Sequence, residues 1–183
     1  SDGQNSAVVT QSNQLMVFAE GKQLWKRNLT AAVYTPPFVA GGRVFVVAAD
    51  RSLSAFDAKT GRELWAVDGP SNEPLILRQP SVLTSVGNSL VVGVLGRLAG
   101  VDPDTGAVRW MAPLAAPRGT NDVERLVDLV GPVSRVGSSI CARAFQAAVG
   151  CVDAATANVS WTQSSKGSDG VAGDEQAVFG AER

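Results

Sequence analysis

The sequence predicts an all-β protein: a β-propeller fragment of about four four-stranded antiparallel blades, taken from an eight-bladed ring. Three observations carry that expectation. A unit ending in tryptophan recurs as "AFDAKTGRELW" (55–65), "GVDPDTGAVRW" (100–110) and, more loosely, "CVDAATANVSW" (151–161). The tryptophans Trp25, Trp65, Trp110 and Trp161 stand roughly 40–50 residues apart, and prolines recur in step at Pro36, Pro37, Pro80 and Pro132. A period of that length belongs to propellers or helical solenoids. Between the tryptophans, short β-branched and aromatic runs alternate with turn signals about every eight residues, which is the pattern of strands and not of helices.

The units follow in order. A partial one covers about residues 6–29, where "EGKQLW" (20–25) keeps the glycine but has Val17 at the acid's position. The second, 36–69, reads as four strands: Phe38-Val39, Val44 to Val47, Leu53 to Phe56, and Leu64-Trp65, with turns at Gly41-Gly42, Asp50-Arg51 and Lys59-Thr60-Gly61. The third, 80–114, repeats this over 81–86, 89–94, 97–101 and 108–111; the fourth, 131–163, over 133–136, 139–144, 148–152 and 159–162. A further strand begins near Val171. Helical periodicity is confined to "NDVERLVDL" (121–129). Four antiparallel strands per unit make a propeller blade, and each blade needs a neighbour on both faces. Half a ring is therefore expected to expose two apolar blade faces, to self-associate through them, or to have them covered by missing sequence. The opening "SDGQNSAVVTQ" has no signal-peptide pattern, and "DEQAVFGAER" stops at the start of a strand, so the chain is expected to be a piece of a longer protein.

In the recurring unit Asp57, Asp102 and Asp153 end a strand, and Thr60-Gly61, Thr105-Gly106 and Thr156-Ala157 make the following turn. The carboxylate can accept hydrogen bonds from turn amides and the Thr hydroxyl, and glycine supplies positive φ. The tryptophan then docks between blades, burying about 200 Å². Three acids at equivalent places on separate blades read as architecture rather than catalysis. Ala157 in the glycine's place is expected to strain or reshape its turn.

Composition narrows the function. With 16 basic and 17 acidic residues the net charge is −1, and there is no basic stripe for nucleic acid. No apolar run reaches about 18 residues. There is no histidine, which removes the commonest general base and metal ligand. Cys141 and Cys151 lack metal-site spacing. No catalytic and no metal-ligating residues are assigned. The two cysteines flank a hairpin. A two-residue turn at Gln146-Ala147 puts them on opposite faces, whereas a three-residue turn or bulge puts them side by side, where a disulfide forms in an oxidising compartment. Both arrangements, bridged and reduced, are open.

The A-x-D-x-x-T-G-x-x-x-W unit resembles the tryptophan-docking signature of PQQ-like propellers. Quinoprotein alcohol dehydrogenases share it, but they also need a calcium cluster, a catalytic aspartate and typically a vicinal cysteine pair; no Cys-Cys occurs here, so no cofactor and no enzyme are expected. Two linkers resemble those of the BamB family, lipoproteins of the outer-membrane β-barrel assembly machinery. "PLILRQPSV" (74–82) carries that family's L-x-L-R as Leu75-Ile76-Leu77-Arg78. "GTNDVERLVDLVGPV" (119–133) carries Glu124-Arg125-Leu126-Val127-Asp128, with Val130 where the family has a further acid. The resemblance implies a non-catalytic scaffold at the periplasmic face of the outer membrane. It also implies docking onto the periplasmic POTRA domains of BamA and assistance to nascent outer-membrane proteins, which could pair with blade edges. Membrane attachment would come only from an N-terminal lipid absent from this chain. The implied contact set is Leu75, Leu77, Arg78 and Asp128, with Arg125 and Glu124 as neighbours; each docked leucine would contribute about 1.5–3 kcal/mol of burial. Read from residues alone, two alternatives stay open: Leu77 folded back onto its own blade with Arg78 solvating the rim, and Arg125 bracing the loop through Asp128. The competing classes are a PQQ-dependent quinoprotein dehydrogenase fragment and a generic periplasmic protein-binding propeller.

Overall fold

A computed structural model describes residues 1–70 and 76–182. Its seventeen strands are β1 (Asn5–Val9), β2 (Gln14–Ala19), β3 (Lys22–Asn28), β4 (Phe38–Ala40), β5 (Arg43–Val47), β6 (Leu53–Asp57), β7 (Glu63–Val67), β8 (Leu83–Val86), β9 (Ser89–Val94), β10 (Arg97–Val101), β11 (Val108–Pro113), β12 (Leu129–Val136), β13 (Ser139–Ala144), β14 (Ala148–Asp153), β15 (Asn158–Ser164), β16 (Ala172–Gly173) and β17 (Val178–Phe179). They form three four-stranded antiparallel blades, β4–β7, β8–β11 and β12–β15, preceded by the three-stranded β1–β3 and followed by the pair β16–β17. This is a β-propeller segment.

The core is divided into slabs, one between each pair of neighbouring blades. Leu15, Val17, Val44 and Phe56 pack between the first two sheets. Phe45, Leu53, Leu90 and Val101 pack between the next two, and Val91, Leu98, Leu129 and Ile140 between the third and fourth. The middle strands therefore bury both faces, which is why β5, β9 and β13 read as near-continuous apolar runs.

Pro36, Pro37 and Pro80 lie just before the first strands of their blades, and Pro132 lies within β12, at its break in register. Pro36, Pro37, Pro80, Val82, Pro132 and Val133 line one cleft of about 420 Å³ that these first strands share. As sheet edges they tolerate a residue without an N–H. Here the blades are tied together: Ser81 N–H donates to Thr35 Oγ1 (2.9 Å), Gly131 N–H to Pro80 O (2.8 Å) and Val171 N–H to Pro132 O (2.9 Å). The Gly131–Pro132 peptide is cis.

Two expectations are sharpened. The 121–129 stretch forms a single turn, with Arg125 N–H donating to Asn121 O and Leu126 N–H to Val123 O, both at 3.2 Å. It is too short to be a helix because Val127 and Leu129 are already committed to the interblade core. The β13–β14 hairpin turns through three residues, Phe145-Gln146-Ala147, which pairs Ala144 with Ala148 and Cys141 with Cys151. The cysteines are joined by a disulfide.

Candidate docking face

Antiparallel alternation sends each blade's features to two opposite faces. On one lie the turns between first and second and between third and fourth strands, which hold the tryptophan units. On the other lie the turns between second and third strands and the linkers that enter the next blade, which hold both predicted docking loops.

On the first face, Asp57 Oδ1 accepts from Lys59 N and Thr60 N, each at 2.9 Å. Asp102 accepts from Asp104 N (2.8 Å) and from Arg109 Nη2 (2.9 Å), and Asp153 from Ala155 N (2.9 Å). The amide of Thr60, of Asp104 and of Ala155, respectively, is the main cause holding these carboxyls below their ordinary 3.8. The preceding blade's indole reaches the same turn: Trp25 Nε1 donates to Ala58 O at 2.8 Å and Trp65 Nε1 to Pro103 O at 2.9 Å. A register shift recurs beside every tryptophan, and opposite each stands a residue no larger than valine: Val17, Ala55, Gly100 or Cys151. These bulges re-aim the side chain towards the next blade. The turn glycine has a second job besides its φ. A Cβ on Gly61 would come within 2.6 Å of the Trp25 ring, and one on Gly106 within 2.6 Å of Trp65. Ala157 keeps the left-handed conformation at φ 60°. The first unit departs differently, turning through the two residues Glu20 and Gly21, both with positive φ.

On the opposite face, residues 76–82 of the first linker, the linker 114–128 and the turn 48–52 converge. Arg51 Nε donates to Asp128 Oδ1 at 2.9 Å, and Arg51 Nη2 to Asp128 Oδ2 at 2.6 Å, a two-pronged pair. The two side chains are only 7% and 14% exposed. Arg51 sits at φ 67°, in a turn fixed by Asp50, whose Oδ1 accepts from Ser52 N and Oγ. The backbone around Asp128 is held as well: Leu129 N–H donates to Leu95 O (3.2 Å), and Asp128 O accepts from Phe145 N (2.9 Å). One linker residue is thus gripped from three consecutive blades. A cavity of about 30 Å³ beside the pair is lined by Thr35, Arg51, Leu77, Gln79 and Asp128.

The predicted docking residues divide accordingly. Leu77 is half-buried at that cavity, whereas Arg78 is exposed. Leu75 lies outside the described residues. Glu124 closes its own loop: its Oε2 accepts from Thr120 N while its N–H donates to Asn121 Oδ1, both at 2.9 Å. Arg125 is exposed, and the guanidinium that holds Asp128 in a salt bridge is Arg51. Val130, the departure from the acid pattern, is 1% exposed in β12 opposite Arg143 and belongs to the core. Sequence reasoning missed three residues. Among the described residues, Ile76 (48% exposed) and Val123 (69%) are the large apolar side chains these loops present to solvent, and Arg51 is the anchor beneath them. Ile76 was readable as the odd position in L-x-L-R. Arg51 gave no signal, because a left-handed arginine has no sequence pattern.

Blades keyed to one another by indoles on Asp-capped turns define a PQQ-like β-propeller. The family relation is narrower. The family described as "Outer membrane protein assembly factor BamB" matches residues 1–183, and the chain belongs to that family. It is 34% identical over 185 residues to the Outer membrane protein assembly factor BamB of Burkholderia pseudomallei, a match covering 100% of this chain and 48% of that protein. The chain thus spans about half the length of that relative. In structure it is similar to BamB from Moraxella catarrhalis, with a TM-score of 0.85 at 19% identity over 96% of this chain and 54% of the other. It is also similar to the quinohemoprotein alcohol dehydrogenase from Comamonas testosteroni, with a TM-score of 0.67 at 14% identity over 87% and 33%. At these identities the structural likeness concerns the fold.

Proposed function

We propose that this chain is a non-catalytic scaffold in outer-membrane protein assembly, at the periplasmic face of the outer membrane, and that it docks onto the POTRA domains of BamA through the face formed by its two long linkers. The observation that carries the reading is their convergence: Ile76, Arg78 and Val123 stand exposed on loops anchored by a largely buried Arg51–Asp128 pair. Apolar side chains beside an arginine on a preorganised base are the composition of an interface hot spot. Family membership supplies the context, since the relatives are named as assembly factors. The Cys141–Cys151 disulfide suits the oxidising periplasm. A scaffold reading also accords with the motif acids, whose carboxylates are taken up by turn amides. The blade perimeters carry Leu24, Val108 and Met111 exposed on outer edge strands, which offers nascent outer-membrane strands an edge for β-augmentation.

The test is binding of the chain to purified POTRA domains. Arg78→Glu and Ile76→Asp should each weaken it at least about tenfold, a loss of roughly 1.4 kcal/mol. Lys26→Glu, on an outer strand of the first sheet, should not. Equal binding by all variants, or quinone-dependent dye reduction by the wild-type chain, would count against the reading.

A further inference from the structure

Resting on that docking reading, we infer that Asp128 does not touch the partner: it acts through Arg51, and the two together are the positioning device that sets the 114–128 linker on the docking face. Both carboxylate oxygens are already occupied by one guanidinium in fork geometry, and the side chain is 14% exposed. Each oxygen already accepts from Arg51, and the side chain has little surface left to offer another protein. The arginine comes from the second blade, whereas the linker it holds enters the fourth, so the pair passes over the third. Leu129 N–H bonded to Leu95 O adds the third blade, and Phe145 N–H bonded to Asp128 O adds the fourth. Three different sheets therefore fix the height and register of one loop, and through the loop the place of the exposed Val123.

Two features mark the arrangement as positioning rather than general stabilisation. A desolvated ion pair is a poor source of net stability compared with apolar residues of the same volume, but it demands one geometry. Arg51 also occupies a left-handed conformation, one that bulky residues keep only where their surroundings impose it. The cavity beside the pair, lined by Leu77 and Gln79 as well as Asp128, brings the first linker against the same anchor. Loss of the pair would release both loops together.

A double-mutant cycle with an exchange measurement tests this. Arg51→Met, Asp128→Asn and the double variant are compared with wild type for binding to POTRA domains. Amide hydrogen exchange is followed in the free chain at Leu129 and Phe145, with Gly61 on the far face as reference. The inference predicts about tenfold weaker binding for each single variant and no further loss in the double. It predicts faster exchange at Leu129 and Phe145 in all three, with Gly61 unchanged. Losses that multiply in the double variant would mean Asp128 meets the partner directly, and unchanged exchange in Arg51→Met would mean the pair positions nothing; either overturns the inference. Arg78→Glu separates the two levels. If it abolishes binding while the cycle multiplies, docking stands and the positioning role falls. If it binds like wild type, the docking reading fails and takes the role of Asp128 in it along.

Discussion

Trp25 and Trp65 hold the segment together because each spends its indole N–H on a carbonyl of the next blade while its ring covers that blade's turn glycine. Trp161, at the equivalent place in the fourth blade, is 42% exposed. Truncation should separate them: Trp65→Ala should cost about 3–5 kcal/mol and Trp161→Ala less than about 2 kcal/mol, read by urea denaturation. The turn itself offers a gain. Ala157→Gly relieves a left-handed alanine at φ 60° and should stabilise the chain by about 0.5–1 kcal/mol. The acids set an acid limit. Asp57, Asp102 and Asp153 have folded values below their ordinary 3.8. Their contribution is therefore fully present above that value and is lost as the pH falls through the lowered folded values. The chain should keep this contribution from pH 7 down to about 4 and lose it progressively below. Replacing the three by asparagine should flatten that acid slope in denaturation series at successive pH values. At this scale the sequence was legible where side chain and turn chemistry coincide. It was silent on the bulges beside each tryptophan and on the steric need for a glycine under the indole, since both depend on a neighbouring blade.

At the scale of elements, strand patterning was readable because β5, β9 and β13 are buried on both faces while the outer strands alternate or are exposed. The β13–β14 hairpin was not decidable, since Cys141 and Cys151 face each other only if the turn has three residues. That choice rests on Gln146 taking a positive φ of 51°, which no local signal announces. The bridge closes a loop with a sequence separation of 10, so Cys141→Ala with Cys151→Ala should cost about 2–3 kcal/mol. Thermal melts with and without reductant should show the same drop in the wild type and none in the variant. The linkers show the opposite limit. Their residue types marked them as special, but which side chains face outward depends on Arg51, fixed 77 residues away in sequence from Asp128. Leu77 consequently lies half-buried at the anchor, while Ile76 and Val123 face solvent.

For the whole molecule, the repeat was enough to give the architecture, because a blade that cannot bury its faces alone must stack. The slab cores follow directly from it. What a repeat cannot give is the difference between the two faces. Every blade contributes a tryptophan turn to one, whereas the other is shaped by two long linkers, 68–82 and 114–128, at the place where the first two sheets are joined by the shorter 29–37. The docking reading lives in that asymmetry, and a photo-crosslinking residue reports on it most directly. It would be placed at Val123, on the linker face, and separately at Val108, on the outer edge strand β11; these positions are 69% and 52% exposed. In cells making both proteins, the account predicts a crosslink from position 123 to the POTRA region of BamA and none from position 108. A crosslink from 108 alone, or none from 123 when the chain is present at normal levels, would contradict it.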